Sequence, residues 1–175
     1  MRTKELLADI NETLLEMENI ISSFTQDEIN IVPFEGSWTA AQVARHITMS
    51  HSGFIEILNG PVTETSRPVD ALKDRIKADF FDFSTKTTAA DFISPARKDY
   101  EKNRLLSGLE IIRGKLNHDI ESLDLTKTCM AFELPVYGYL TRLEAIYFVL
   151  YHTKRHIHQL KNIYQKLDRT EYHGI

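Results

Sequence analysis

The sequence predicts an all-α protein, a four-helix bundle with one long crossover between its second and third helices. Three observations carry that expectation. Apolar residues recur every three or four positions along four long stretches, the period of a helix with one buried face. Glycine (7) and proline (5) are scarce in 175 residues, which disfavours a turn-rich sandwich and excludes collagen-like or low-complexity chains. Apolar residues make up 42% of the chain and charged residues 26%, so a substantial core is available. The length predicts a single domain over residues 1–175.

The first helix is expected from about Thr3 to Phe24, where Leu6, Ile10, Leu14, Met17, Ile21 and Phe24 form one stripe with the charges between them. The second follows Gly36-Ser37-Trp38-Thr39, with Ser37 or Thr39 as N-cap, and ends near Asn59-Gly60, where Gly60 and Pro61 stop it. Its stripe is Val43, Ile47, Phe54, Ile57 and Leu58. The third is expected from about Pro95 to Leu123, and the fourth follows Pro135-Val-Tyr-Gly138-Tyr-Leu-Thr141 and continues to about Leu167. Four amphipathic helices that cannot each bury a face alone pack most simply as a bundle. Between the second and third lies the stretch 60–94. Val69 to Phe81 reads as a short helix there, and Phe80, Phe81, Phe83 and Phe92 are too many for a solvated linker. This crossover is expected to lie across the bundle and cover one end of it.

Composition also excludes functions. The longest apolar run, Ala145 to Tyr151, is too short to span a bilayer, and no signal-peptide pattern opens the chain. A net charge of −4 with scattered Lys and Arg offers no footprint for nucleic acid or an anionic membrane. A cytoplasmic location is therefore expected. The one cysteine, Cys129, can form neither an internal disulfide nor a cysteine-based zinc site, and it reads as an inert thiol.

Chemistry is concentrated in the seven histidines. His152 and His156 are four apart, so on a helix they are stacked neighbours and both rings can reach one metal ion. His158 points away from them and is a poor third ligand. His46 is the better candidate, because it shares a helical face with Val43, Ser50, Phe54 and Ile57. Each signal also has a plainer reading, a core imidazole hydrogen-bonded to a carbonyl for His46 and solvated helix residues for the pair. His51, His118 and His173 read as surface residues. Glu144 and Arg155 could stand behind the metal ligands or be plain surface charges, and Tyr147 is a further group on the same helix whose direction depends on packing. A di-iron Glu-x-x-His pair, a His-Glu-x-x-His zincin motif, a phosphate loop and a Gly-x-Ser-x-Gly elbow are all absent.

Two stretches taken together resemble the DinB-like (DinB/YfiT) superfamily. Pro135-x-x-Gly138-x-Leu-Thr141-x-x-Glu144-x-x-x-Phe148-x-x-x-His152-x-x-Arg-His156-x-x-Gln159 is similar to that family's closing helix. Gly36-Ser-Trp38-Thr-x-x-Gln-Val-x-x-His46-Ile is similar to its Trp entry and first metal histidine. The resemblance implies a homodimeric four-helix bundle in which His46, His152 and His156 hold a divalent metal. It further implies an enzyme that activates either a low-molecular-weight thiol, such as bacillithiol or mycothiol, as an S-transferase, or water, as a hydrolase, against a small electrophile. Three imidazoles with an open coordination position suit Zn²⁺ or Ni²⁺, with Mn²⁺ or Fe²⁺ possible according to supply. The alternative is a bundle that binds metal without turnover, or a purely structural one.

Overall fold

The computed structural model describes residues 2–84 and 90–171. Its elements are α1 (Arg2–Ser23), α2 (Ala40–Asn59), β1 (Val62–Thr63), α3 (Lys73–Phe81), α4 (Lys102–Ser122), β2 (Thr128–Cys129) and α5 (Arg142–Glu171). The four long helices α1, α2, α4 and α5 form the bundle, and α3 belongs to the crossover.

Each of α1 and α2 packs against both α4 and α5, whereas α1 and α2 scarcely touch, so α1 and α2 sit on one diagonal of the bundle and α4 and α5 on the other. Side-chain links give the directions. Glu18 on α1 pairs with Arg113 on α4, and Asn11 with Asn117, so these two run antiparallel. Glu16 pairs with Lys161 and Phe24 packs edge-on against Tyr164, so α1 and α5 run parallel. Asn59 at the end of α2 donates to Asp119 near the end of α4 (2.9 Å), so α2 and α4 finish together. Arg142, the first residue of α5, donates to the Leu58 carbonyl (2.8 Å), so α5 starts where α2 stops.

The core has two apolar clusters stacked along the bundle axis. One joins the first half of α1 to the second halves of α2 and α4 and the start of α5, around Ile10, Leu58, Leu116 and Ile146. The other joins the remaining halves around Met17, Ile21, Ile47, Leu109 and Leu160. Burying such side chains contributes roughly 1.5–3 kcal/mol each against exposure, which is what holds four individually marginal helices together.

Helix boundaries follow from which groups satisfy the first free N–H donors. At α2, Thr39 and Gln42 form a reciprocal capping box, so Thr39 rather than Ser37 is the N-cap. At α5, the same device joins Thr141 and Glu144: the Glu144 N–H donates to Thr141 Oγ1 (3.1 Å) and the Thr141 N–H to Glu144 Oε2 (2.9 Å). At α4 the start expected at Pro95 is corrected to Lys102. The reason is long-range. Gln26 Oε1 accepts from the Lys102 N–H (2.8 Å), and Asn30 takes both the Tyr100 N–H and the Tyr100 carbonyl, which holds the chain before Lys102 out of the helix.

Among the described residues of the crossover, the α-helix spans Lys73–Phe81, shorter than Val69 to Phe81, and a single 3-10 turn follows at Asp91–Ile93. The preceding turn is held elsewhere, since the Val69 carbonyl accepts from Thr141 Oγ1 and the Leu72 N–H donates to Glu144. Helix α3 lies on α5, with Phe80 and Phe81 packed on the core; Phe92, by contrast, is 72% exposed. The antiparallel pair β1–β2, with Val62 opposite Cys129, ties the crossover's first residues to the segment after α4. No helix among the described residues is long and apolar enough to cross a membrane.

Candidate metal centre

Because α2 and α5 run antiparallel in contact, residues early in α2 face the middle of α5. His46 meets His152 and His156 there. His46 Nε2 lies 3.1 Å from His152 Nε2, and His156 Nε2 lies 3.0 Å from the same atom. One ring nitrogen from each of the three lies within 4.8 Å of the others. His46 and His152 are buried, and His156 is half-buried.

The outer nitrogens fix which way two of these rings present their lone pairs. His46 Nδ1–H donates to the Ile93 carbonyl (2.8 Å), and His156 Nδ1–H donates to Gln159 Oε1 (2.8 Å). Both rings therefore aim a bare Nε2 inward. If His152 carried its proton on Nε2, it could satisfy only one of them and leave the other lone pair buried. A cation at the convergence point satisfies all three. Ligand nitrogens around a tetrahedral ion with Zn–N bonds of about 2.0–2.1 Å stand roughly 3.3 Å apart, close to the two short separations here. The residues fit a divalent ion.

Electrostatics agrees with the geometry. Burial lowers the pKa of His46, against the raising effect of its bond to Ile93. Burial, reinforced by neighbouring imidazoles, takes His156 down to about 3 and His152 well below the ordinary histidine value. All three are neutral at pH 7, the form that ligates.

Aromatic rings wall the cluster. Trp38 stands 5.1 Å from His46, and Phe80 and Phe148 stand 5.3 and 5.9 Å from His152 between ring centres. The crossover supplies part of this wall. Arg155 donates to the Phe80 and Asp82 carbonyls (2.9 Å each), which pins the end of α3 beside the site.

Other candidates fall elsewhere. His158 is exposed and packs against Phe83 (4.3 Å), turned from the cluster. Glu144 is buried in an ion pair with Arg67, and Tyr147 stacks on Tyr151 beneath Lys73. Burial pushes the Cys129 thiol up to about 11. His118 is exposed, and His173 lies outside the described residues. His51 is a correction: it is fully buried, not a surface residue, and its Nε2 contacts Thr153 Oγ1 at 2.7 Å. The sequence carries a signal for this, because Ile47, His51, Phe54 and Leu58 follow a helical core spacing in which His51 fills one place.

Fold and cluster together define a class, an all-helical bundle with three convergent imidazoles set between two antiparallel helices. The chain belongs to the DinB superfamily, whose family model matches residues 10–160. It is 26% identical over 165 residues to YuaE, an uncharacterised protein of Bacillus subtilis, covering 91% of this chain and 97% of that one. Two solved structures share the fold. YfiT from Bacillus subtilis, described as a probable metal-dependent hydrolase with an unusual four-helix bundle topology, superposes with a TM-score of 0.60 at 17% identity, covering 95% of this chain and 87% of YfiT. TT2238, a four-helix bundle protein, gives 0.59 at 16% identity, covering 91% and 98%.

Proposed function

We propose that this chain, acting as one domain over residues 1–175, is a metal-dependent enzyme in which His46, His152 and His156 hold one divalent ion. The observation that carries the reading is the inward aim of the His46 and His156 lone pairs, each fixed by an oxygen acceptor behind the ring. Zn²⁺ or Ni²⁺ suits three neutral nitrogens, ahead of Mn²⁺ or Fe²⁺. When bound, such an ion acts as a Lewis acid that lowers the pKa of a water or thiol. The protein's part is to keep three imidazoles neutral, fix the tautomers of His46 and His156, and surround the cluster with Trp38, Phe80 and Phe148, which exclude bulk water.

The substrate is a small electrophile attacked by water or by a low-molecular-weight thiol. The description of YfiT supports the hydrolytic arm, and the sequence resemblance supports the thiol arm. A cytoplasmic homodimer is the assembly this reading carries.

The test is turnover of zinc- or nickel-reconstituted protein on small esters, amides and alkylating electrophiles, with and without a low-molecular-weight thiol. Turnover that disappears in His46→Ala is the expected result. Full metal loading with no turnover in either arm overturns the enzyme reading and leaves a metal-binding bundle.

A further inference from the structure

Behind the three-histidine cluster, two buried ring nitrogens have no hydrogen-bond partner among the described residues: His152 Nδ1 and His51 Nδ1. Leaving a buried polar atom unpaired costs about 1–3 kcal/mol, so two of them on neighbouring rings call for an explanation.

The hydrogen-bond directions around His51 can be worked out from its neighbours. Thr153 Oγ1 donates its only proton to the Val149 carbonyl (2.8 Å). It must then accept from His51, so the His51 proton sits on Nε2, which lies 2.7 Å away. That leaves His51 Nδ1 as a bare acceptor. His152 is its complement, because a ring that ligates through Nε2 carries its proton on Nδ1 and needs an acceptor there. The two rings stand 5.7 Å apart between centres, inclined at 51°. The terminal side-chain torsion of histidine is broad, and the bond requires a reorientation of these neighbouring rings about it when the ion binds.

We infer that His51 is the positioning residue for His152, accepting the His152 Nδ1–H at its own Nδ1 when the metal site is filled. The chain then runs His152 to His51 to Thr153 to the Val149 carbonyl, with every donor matched to one acceptor. Two of the three imidazoles already have an oxygen behind them, and His51 supplies the third ring with a nitrogen. This assignment rests on the metal-centre reading.

The experiment measures Zn²⁺ affinity by chelator competition in the wild type, His51→Leu, His51→Asn and His152→Ala, with ¹⁵N NMR of the histidine rings in the zinc-loaded wild type. His51→Leu is expected to lose about 10–100-fold in affinity, the usual cost of removing such a partner. His51→Asn, which keeps an acceptor near the Nδ1 position, is expected to recover most of it. The NMR spectrum should show His51 protonated on Nε2 and His152 on Nδ1, with a coupling across the N–H···N bond. Unchanged affinity in His51→Leu, or a His51 proton on Nδ1, overturns the inference while leaving the metal centre standing. No zinc binding by the wild type overturns the metal centre itself. Should His51→Leu fail to fold, the wild-type tautomers alone decide.

Discussion

Two buried polar clusters sit on α5, and they differ in how completely their atoms are paired. At the start of the helix, Glu144 accepts from both terminal nitrogens of Arg67 (2.6 Å each) and from the Leu72 and Thr141 N–H groups. Its carboxylate is saturated. Two turns further on, His46, His152 and His156 point ring nitrogens at one another, and His152 and His51 each retain an unpaired Nδ1 among the described residues. A saturated cluster holds a fold together; an unsaturated one has valence left for a ligand. Here the first clamps the crossover to α5, and the second lies where α2, α5 and that crossover meet.

The largest effect should come from breaking the saturated cluster. Glu144→Ala leaves a half-buried guanidinium and two N–H groups without their acceptor, and should lower unfolding free energy by about 3 kcal/mol in a denaturant titration. His46→Ala removes one member of the cluster that is already incompletely paired, so it should cost clearly less stability while abolishing metal uptake. Equal losses in the two variants would erase the distinction between the clusters.

Lowering pH should sharpen it. Burial holds His51 and His156 down to about 3 and His152 well below the ordinary value. Below the unfolded histidine value of about 6.5, the unfolded chain takes up protons that the folded chain refuses, so stability falls with pH. The slope approaches about 1.4 kcal/mol per pH unit for each such group. The metal-free protein should therefore lose melting temperature between pH 7 and pH 5, and His51→Asn should flatten the profile. A profile already flat in the wild type would contradict the buried neutral imidazoles.

Smaller effects report on what presents each cluster. Thr39→Ala removes the cap of α2, which carries His46, and should cost about 1 kcal/mol. Val136 offers a change of opposite sign. Gly36 and Val136 both sit at a φ of 76°, but only glycine adopts that conformation without strain. Val136→Gly, in the turn leading to the Glu144 clamp, should stabilise by about 1 kcal/mol. A lower melting temperature in that variant would show that the valine side chain compensates its backbone.

The two clusters are not equally legible in the sequence. His46, His152 and His156 stand at helical spacings on faces that periodicity identifies, so their convergence can be anticipated once α2 and α5 are expected to pack. The Glu144–Arg67 clamp cannot, because it joins residues 77 apart across a crossover that has no repeating pattern. The same limit explains the start of α4, which is set by Gln26 and Asn30 from a distant turn. His51 is legible but easily misread: a polar residue in a core register looks like a surface residue unless its partner on the facing helix, Thr153, is known.

The most direct test of the metal centre is elemental analysis of protein purified without a histidine tag or chelator, beside the His152→Ala/His156→Ala double variant. Close to one divalent ion per chain in the wild type and none in the variant is the expected result. A wild type that holds no metal even after reconstitution with Zn²⁺ or Ni²⁺, or a variant that retains it, would contradict a site built on these three histidines.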